Sequence, residues 1–229
     1  MPRTILVLHG ALGSKEQLLP VTQALGHWFN VKSMSFSGHG GEPLNGPFDV
    51  NKFTEEVITF IDSEKLSQVD IFGYSMGGYV ALNLALKHPG KVGKIFTLGT
   101  KLEWSPAIAQ KEIKMLDAGK IEEKVPALAK MLAERHAPVD WKEVLRQTAQ
   151  MMINLGDHAP LTSDLFKNIE HSVVIGIGDE DNMATLEESE KVAKLLPHGS
   201  LHVFKGFRHP IEQIDVAELT REIKTFMLI

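Results

Sequence analysis

The chain has 229 residues, of which 43% are hydrophobic and 23% charged, and its formal net charge is −5. That length and balance fit one large domain, or one domain with an insertion, with enough apolar residues for a packed core. Mild acidity without a basic cluster argues against nucleic acid or a membrane surface as the main partner, and the absence of cysteine excludes disulfides, a thiolate nucleophile and Cys-ligated zinc.

The run Thr4 to Leu8 reads as a fully buried strand ending at His9-Gly10. It is far too short for a signal peptide or a membrane span, so a cytoplasmic protein is expected. Ser14 is placed to cap a helix through Leu18, Leu19, Val21 and Leu25, stopped by Gly26. Residues 31–36 predict a second strand, closed by Ser37-Gly38-His39-Gly40-Gly41, and a helix follows with Phe53, Val57, Phe60 and Ile61 on one face. A short apolar run to Phe72 then leads into Gly73-Tyr74-Ser75-Met76-Gly77-Gly78, and strong helix formers continue from Tyr79 to Lys87. After a Pro89-Gly90 stop, residues 94–98 predict another strand. This alternation of strand and helix is the pattern of a parallel sheet covered on both faces.

The alternation lapses beyond Thr100. Residues 104–164 contain no convincing strand and read as helices over 107–117, 121–135 and 140–155, divided by Gly119 and Pro138. Trp141, Val144, Leu145, Thr148, Met151, Met152 and Leu155 give the last of these an apolar face. Strand and helix then resume: strand 173–177, helix 185–196, strand 200–204 and a final helix 210–227. The reading is a core domain of residues 1–103 and 165–229 with a helical insertion at 104–164.

Gly73-x-Ser75-x-Gly77 between a strand and a helix describes a sharp turn that strains its central residue and needs small neighbours. Such a turn holds the serine hydroxyl at the sheet's end, beside the positive end of a helix. The pattern alone is weakly specific, so the other strand ends matter. In open parallel sheets functional groups gather at the carboxyl ends of strands. Those ends offer His9-Gly10-Ala11, Gly38-His39-Gly40, Ser75, Trp104, Asp179 with Asp181, and Gly206-Phe207-Arg208-His209. A serine, a carboxylate and a histidine thus follow one another along the chain.

On these residues the whole chain resembles the α/β-hydrolase superfamily, specifically small serine hydrolases and esterases with a helical cap. Gly73 to Gly78 is similar to the family's nucleophile elbow, Leu8-His9-Gly10-Ala11 to its oxyanion turn, and Ser37-Gly38-His39-Gly40 to its Gly-His-Gly loop. Gly178-x-x-Asp181 resembles the acid loop, and Gly206-x-x-His209-Pro210 the histidine loop. The resemblance implies an α/β-hydrolase fold, a mainly parallel sheet flanked by helices with residues 104–164 as a cap. It implies a catalytic triad of Ser75, Asp181 and His209, with backbone N–H groups of Ala11 and Met76 as the oxyanion hole. Leu12, Tyr79 and Trp104 are expected to contact substrate. The acid loop holds Asp179, Glu180 and Asp181; family spacing from Gly178 selects Asp181, with Asp179 as the alternative.

The resemblance thus implies a serine hydrolase needing no cofactor or metal, a carboxylesterase for a small or medium apolar ester through an acyl-enzyme on Ser75. Its partner would be a small-molecule substrate, and the sequence leaves the oligomeric state open. Carbon–carbon bond hydrolysis or SHCHC-synthase-like chemistry on the same triad is the alternative, although Tyr79 stands where that synthase carries a substrate-binding arginine. A ligand-binding receptor on the same scaffold is a reading of another class, and three intact catalytic residue types argue against it. His9 and His39 are expected to orient loop backbone; His27, His88, His136, His158, His171, His198 and His202 to be surface or satisfied structural residues. His198 and His202 are expected to straddle a turn entering a strand. The methionines Met115, Met131, Met151 and Met152 read as core more than as ligand contacts. Neither glycine-rich segment, Gly38 to Gly41 or Gly176 to Gly178, has dinucleotide-binding spacing.

Overall fold

The computed structural model describes residues 3–229. Its strands are β1 (Thr4–Leu8), β2 (Asn30–Met34), β3 (Val69–Tyr74), β4 (Val92–Leu98), β5 (Ser172–Gly178) and β6 (His198–Phe204). They form one sheet in the order β2-β1-β3-β4-β5-β6, with every pairing parallel. The central strands are apolar on both sides because helices cover both faces, as a parallel sheet requires. On β1, Ile5 and Val7 face one core cluster and Leu6 and Leu8 the other. The edge strands β2 and β6 are only partly covered.

Helices α1 (Leu19–Leu25) and α10 (Val216–Leu228) cover one face, bringing Val21, Leu25, Leu219, Ile223 and Met227 against Phe72 and Phe96. Helices α2 (Val50–Ser63), α3 (Met76–Lys87) and α9 (Leu186–Leu195) cover the other through Val57, Ile61, Leu82 and Val192. Asp49 caps α2 by accepting from the Asn51 and Lys52 N–H groups. The α9 N-terminus is a full capping box of Thr185 and Glu188.

Between β4 and β5 the chain is helical: α4 (Pro106–Glu112), α5 (Ala118–Lys124), α6 (Pro126–His136), α7 (Trp141–Asp157) and α8 (Ser163–Phe166). Helix α7 has two apolar faces. Trp141 and Leu145 join Ile121 of α5 and Leu132 of α6 in a small separate core, whereas Val144, Met151 and Leu155 join the main core.

Several boundaries differ from the sequence expectation. The helix expected over residues 121–135 is broken by Pro126, which cannot donate to the preceding turn and instead starts α6. The final helix begins at Val216 with Asp215 as its N-cap, leaving Ile211–Gln213 as a separate 3₁₀ turn. Ser14 caps no helix, because the first turn is a 3₁₀ segment, Glu16–Leu18, without a side-chain cap. His198 and His202 both lie within β6 rather than astride a turn. Met115 and Met131 are exposed, so they are not core as expected. Among the described residues, no helix is long and apolar enough to cross a membrane.

Candidate active site

Ser75 sits between β3 and α3 with φ 51° and ψ −118°, a left-handed conformation that side-chain-bearing residues rarely adopt. The elbow holds it there through backbone bonds. Ser75 N–H donates to the Leu98 carbonyl (2.8 Å), and the Ser75 carbonyl accepts from Gly78 N–H (3.0 Å) and from the Thr100 hydroxyl (3.0 Å). The flanking glycines are sterically required. A Cβ on Gly73 would lie 2.5 Å from Gly78 Cα, and one on Gly77 would run into the Leu8 carbonyl and lie 2.7 Å from that of His9. The strand-turn-helix packing therefore strains the residue whose hydroxyl it presents.

His209 and Asp181 come from loops after β6 and β5. His209 Nδ1 lies 2.9 Å from Asp181 Oδ2 and 3.1 Å from Oδ1, and both side chains are largely buried. Asp181 Oδ1 also accepts from the backbone N–H groups of Met183 (2.8 Å) and Ala184 (3.0 Å), which fixes the carboxylate's orientation. Gly99, at φ +59°, makes room for the pair; a Cβ there would lie 3.0 Å from Asp181 Oδ2 and 3.3 Å from His209 Nδ1. Asp179 and Glu180 point elsewhere. Asp179 Oδ1 accepts from Gly206 N–H (2.6 Å), and Glu180 Oε2 accepts from Arg208 Nε (3.0 Å). Of the three loop carboxylates, the structure brings Asp181 to the histidine.

Ser75 and His209 line one pocket of about 520 Å³, open solvent included. They are not hydrogen-bonded to each other, and catalytic hydrogen bonds are often loose before a substrate tightens them. Ala11, Met76 and Tyr79 share the wall. Met76 is the first residue of α3, so its N–H has no acceptor one turn back and faces outward from the positive end of the helix. The other wall comes from the helical segment and the chain leading into it: Trp104, Glu112, Met151, Met152 and Leu155. Of the residues expected to meet substrate, Tyr79 and Trp104 lie on this pocket, and Leu12 does not. Leu12, at φ 58°, turns its carbonyl toward Arg135 Nη1 (2.9 Å) and His136 Nε2 (3.2 Å) of α6.

Three buried histidines knit the surrounding loops together. His9 Nδ1 is 2.7 Å from the Gly10 carbonyl and Nε2 accepts from Phe36 N–H (3.1 Å), so the ring is neutral with its proton on Nδ1. Burial pushes its pKa down to about 4, with the Gly10 bond opposing. His39 stacks on Phe48 and bonds the Ser37 carbonyl through Nδ1 (3.1 Å); burial holds its pKa well below the usual histidine range. His136 accepts from Gly40 N–H at Nδ1 (3.2 Å) and donates from Nε2 to Leu12, and burial, helped by the neighbouring Arg135 charge, lowers its pKa to about 4. The expectation that His9 and His39 orient loop backbone matches these bonds.

Two residues at the site carry no mark in the sequence pattern that would have singled them out. Tyr74 donates its hydroxyl to the His209 carbonyl (2.8 Å) and packs its ring against the imidazole, 5.5 Å between centroids. It occupies the unspecified position of the Gly-x-Ser elbow, so no motif covers it. Glu112 lies on the pocket wall, 6% exposed, and its only signal is helical spacing: a charged residue three and four positions after Ala109 and Ile108, on the buried face of α4. Among the described residues, no group of three or more His, Cys, Asp or Glu side chains could hold a metal ion.

Residues 3–118 match the family model of the alpha/beta hydrolase fold, a segment that contains Ser75 and ends before Asp181 and His209. In sequence, the chain is 26% identical over 210 residues to 2-hydroxymuconate semialdehyde hydrolase of Pseudomonas putida, covering 83% of this chain and 73% of that one. It is 32% identical over 90 residues to the pimeloyl-[acyl-carrier protein] methyl ester esterase of Neisseria meningitidis, covering 39% of this chain and 34% of the esterase. The chain spans about a quarter to a third of the length of several curated relatives it matches. In structure, it superposes on the enol-lactonase of Burkholderia xenovorans LB400 with a TM-score of 0.80 at 19% identity, covering 100% of this chain and 92% of that one. That likeness establishes a shared fold.

Proposed function

The chain belongs to the alpha/beta hydrolase fold family, and on that premise we propose that it is a serine hydrolase cleaving a small or medium, largely apolar carboxylic ester through an acyl-enzyme on Ser75. The observation that carries this reading is the His209–Asp181 contact of 2.9 Å on the pocket that also holds the strained Ser75. Ser75 Oγ attacks the ester carbonyl carbon while His209 Nε2 takes its proton. Asp181 keeps the other ring proton on Nδ1 and stabilises the imidazolium as it forms. The oxyanion is received by the N–H groups of Ala11 and Met76, whose positions are set before substrate arrives. Collapse of the intermediate expels the alcohol with the proton held by His209. Water, activated by the same imidazole, then releases the acid and restores Ser75. The helices of residues 104–164 act as the cap, and the apolar side chains of Met151, Met152 and Leu155 give the pocket its preference for apolar groups.

A fluorophosphonate probe labels the wild-type protein and leaves Ser75→Ala unlabelled, and p-nitrophenyl butyrate is turned over by the first alone. Labelling that persists in Ser75→Ala would sink the nucleophile assignment. The similarity over 83% of the chain to a 2-hydroxymuconate semialdehyde hydrolase supports a second reading, carbon–carbon bond hydrolysis on the same three residues. Turnover of 2-hydroxymuconate semialdehyde at a higher kcat/KM than any ester would favour it.

A further inference from the structure

The pocket that holds Ser75 is almost entirely apolar at its surface, yet it contains two polar groups that the protein leaves unmatched. Trp104 Nε1 is a buried N–H with no acceptor. The Glu112 carboxylate, in a residue only 6% exposed, finds neither a cation nor a hydrogen-bond donor among the described residues. Lys101 is the lining cation, and its ammonium is engaged elsewhere, donating to the Met183 carbonyl (3.2 Å) and lying 3.6 Å from Glu188 Oε2. A buried donor or carboxylate without a partner is costly, and native structures rarely keep one without a use. Here one donor and one acceptor without a partner in the protein belong to residues that line the same pocket as Ser75.

We propose that Trp104 and Glu112 form a polar recognition site in the pocket for a hydroxyl group on the substrate, so that the enzyme prefers hydroxylated esters to their hydrocarbon counterparts. The chemistry of the pair selects that group. A carboxylate on the substrate would satisfy Trp104 and be repelled by Glu112. An ammonium would satisfy Glu112 and meet the indole N–H donor to donor. A hydroxyl accepts from Trp104 Nε1 and donates to a Glu112 oxygen, matching both at once. Because Trp104 Nε1 is withdrawn from water, a ligand lacking the hydroxyl leaves it unpaired, and discrimination against that ligand follows. This assignment rests on the hydrolase reading for the bond that is cleaved, but the recognition itself does not depend on turnover.

The test therefore separates binding from chemistry. Binding is measured by titration calorimetry on Ser75→Ala with methyl 3-hydroxyoctanoate, methyl 6-hydroxyhexanoate and 2-hydroxyethyl hexanoate, each against the ester with methyl in place of the hydroxyl. At least one hydroxylated ester is expected to bind about tenfold or more tightly than its counterpart, and the preference is expected to vanish when Glu112→Leu or Trp104→Phe is added. The same ranking is expected in kcat/KM with the serine restored. Glu112→Leu is further expected to leave Tm unchanged or raised, since no hydrogen bond or ion pair within the protein is lost; a purely structural glutamate would lower it. Equal or weaker binding of every hydroxylated ester, or a preference that survives both substitutions, overturns the proposal. Preferential binding without turnover in the wild type keeps it and rejects the hydrolase reading instead.

Discussion

Three consecutive carboxylates follow β5, and their partners separate them. Asp181 receives the His209 ring and two backbone N–H groups, Asp179 a single backbone N–H from the histidine loop, and Glu180 the guanidinium of Arg208. Asp181→Asn removes the negative charge and presents an amide to Nδ1, which favours the wrong tautomer. It is expected to lower kcat by roughly 10³–10⁴-fold. Asp179→Asn keeps an oxygen for Gly206 N–H and is expected to stay within a few-fold of wild type; steady-state kinetics on p-nitrophenyl butyrate decides, and the reverse ranking would move the acid to Asp179. Tyr74 acts one step further out, as a positioning residue. Tyr74→Phe leaves the His209 carbonyl without its donor and is expected to cost about 0.5–1.5 kcal/mol of stability. Its kinetic effect should fall on kcat with KM unchanged, since Tyr74 holds the histidine and is not among the pocket-lining residues.

The elbow works as a unit of strand, turn and helix. Its geometry exists because α3 crosses close to β1, and Gly77 is where the two backbones nearly touch. Gly77→Ala must push α3 away from the Leu8 and His9 carbonyls, an overpacking of a site with no flexible side chain to yield. A loss of about 3 kcal/mol is expected, which for a chain of this size lowers Tm by roughly 6–12 °C. Calorimetry reads this directly; an unchanged Tm would show that the helix can shift freely. Helix α6 is the other element with a positioning role. Its last turn supplies Arg135 and His136 to the Leu12 carbonyl, so the helical segment grips the loop that carries Ala11. The proline break at Pro126 sets where that helix starts.

The buried histidines make the stability of the whole molecule depend on pH. His9 and His136 are held near 4 in the folded state, against about 6.5 for histidine in an unfolded chain. Between those values the unfolded state binds more protons, so stability rises with pH across the window and is fully present above about 6.5. As pH falls from about 6.5 toward 4 it is progressively lost, on the order of a few kcal/mol for each ring. The structural reason is direct at His9, where a proton on Nε2 would face the Phe36 N–H donor to donor. Thermal melts across this range should show Tm falling with acidification, and His136→Gln should flatten the curve. A Tm independent of pH between about 4 and 6.5 would rule this out.

Much of the core was legible in the sequence, as were the positions of the three residues proposed as a triad. Strand and helix positions follow from local periodicity, because a strand buried on both faces must be continuously apolar and an amphipathic helix must repeat near 3.6 residues. Ser75 announced itself because a strained turn needs glycines at fixed offsets, and that requirement is written locally. Family spacing from Gly178 selected Asp181 over Asp179, but the contact itself depends on where the loop folds back, since both carboxylates sit at the same strand end. Short-range patterns could not reveal Tyr74, His136 or Glu112 as neighbours of the site, because these contacts join segments far apart in the chain or depend on which side of a helix is covered. Leu12 and Tyr79 were equal candidates in sequence; packing turned one carbonyl toward α6 and the other ring onto the pocket. Backbone chemistry is local and can be read from neighbours along the chain, whereas the partners of a buried polar group are set by the packing of distant elements, and that is where the pocket's character was decided.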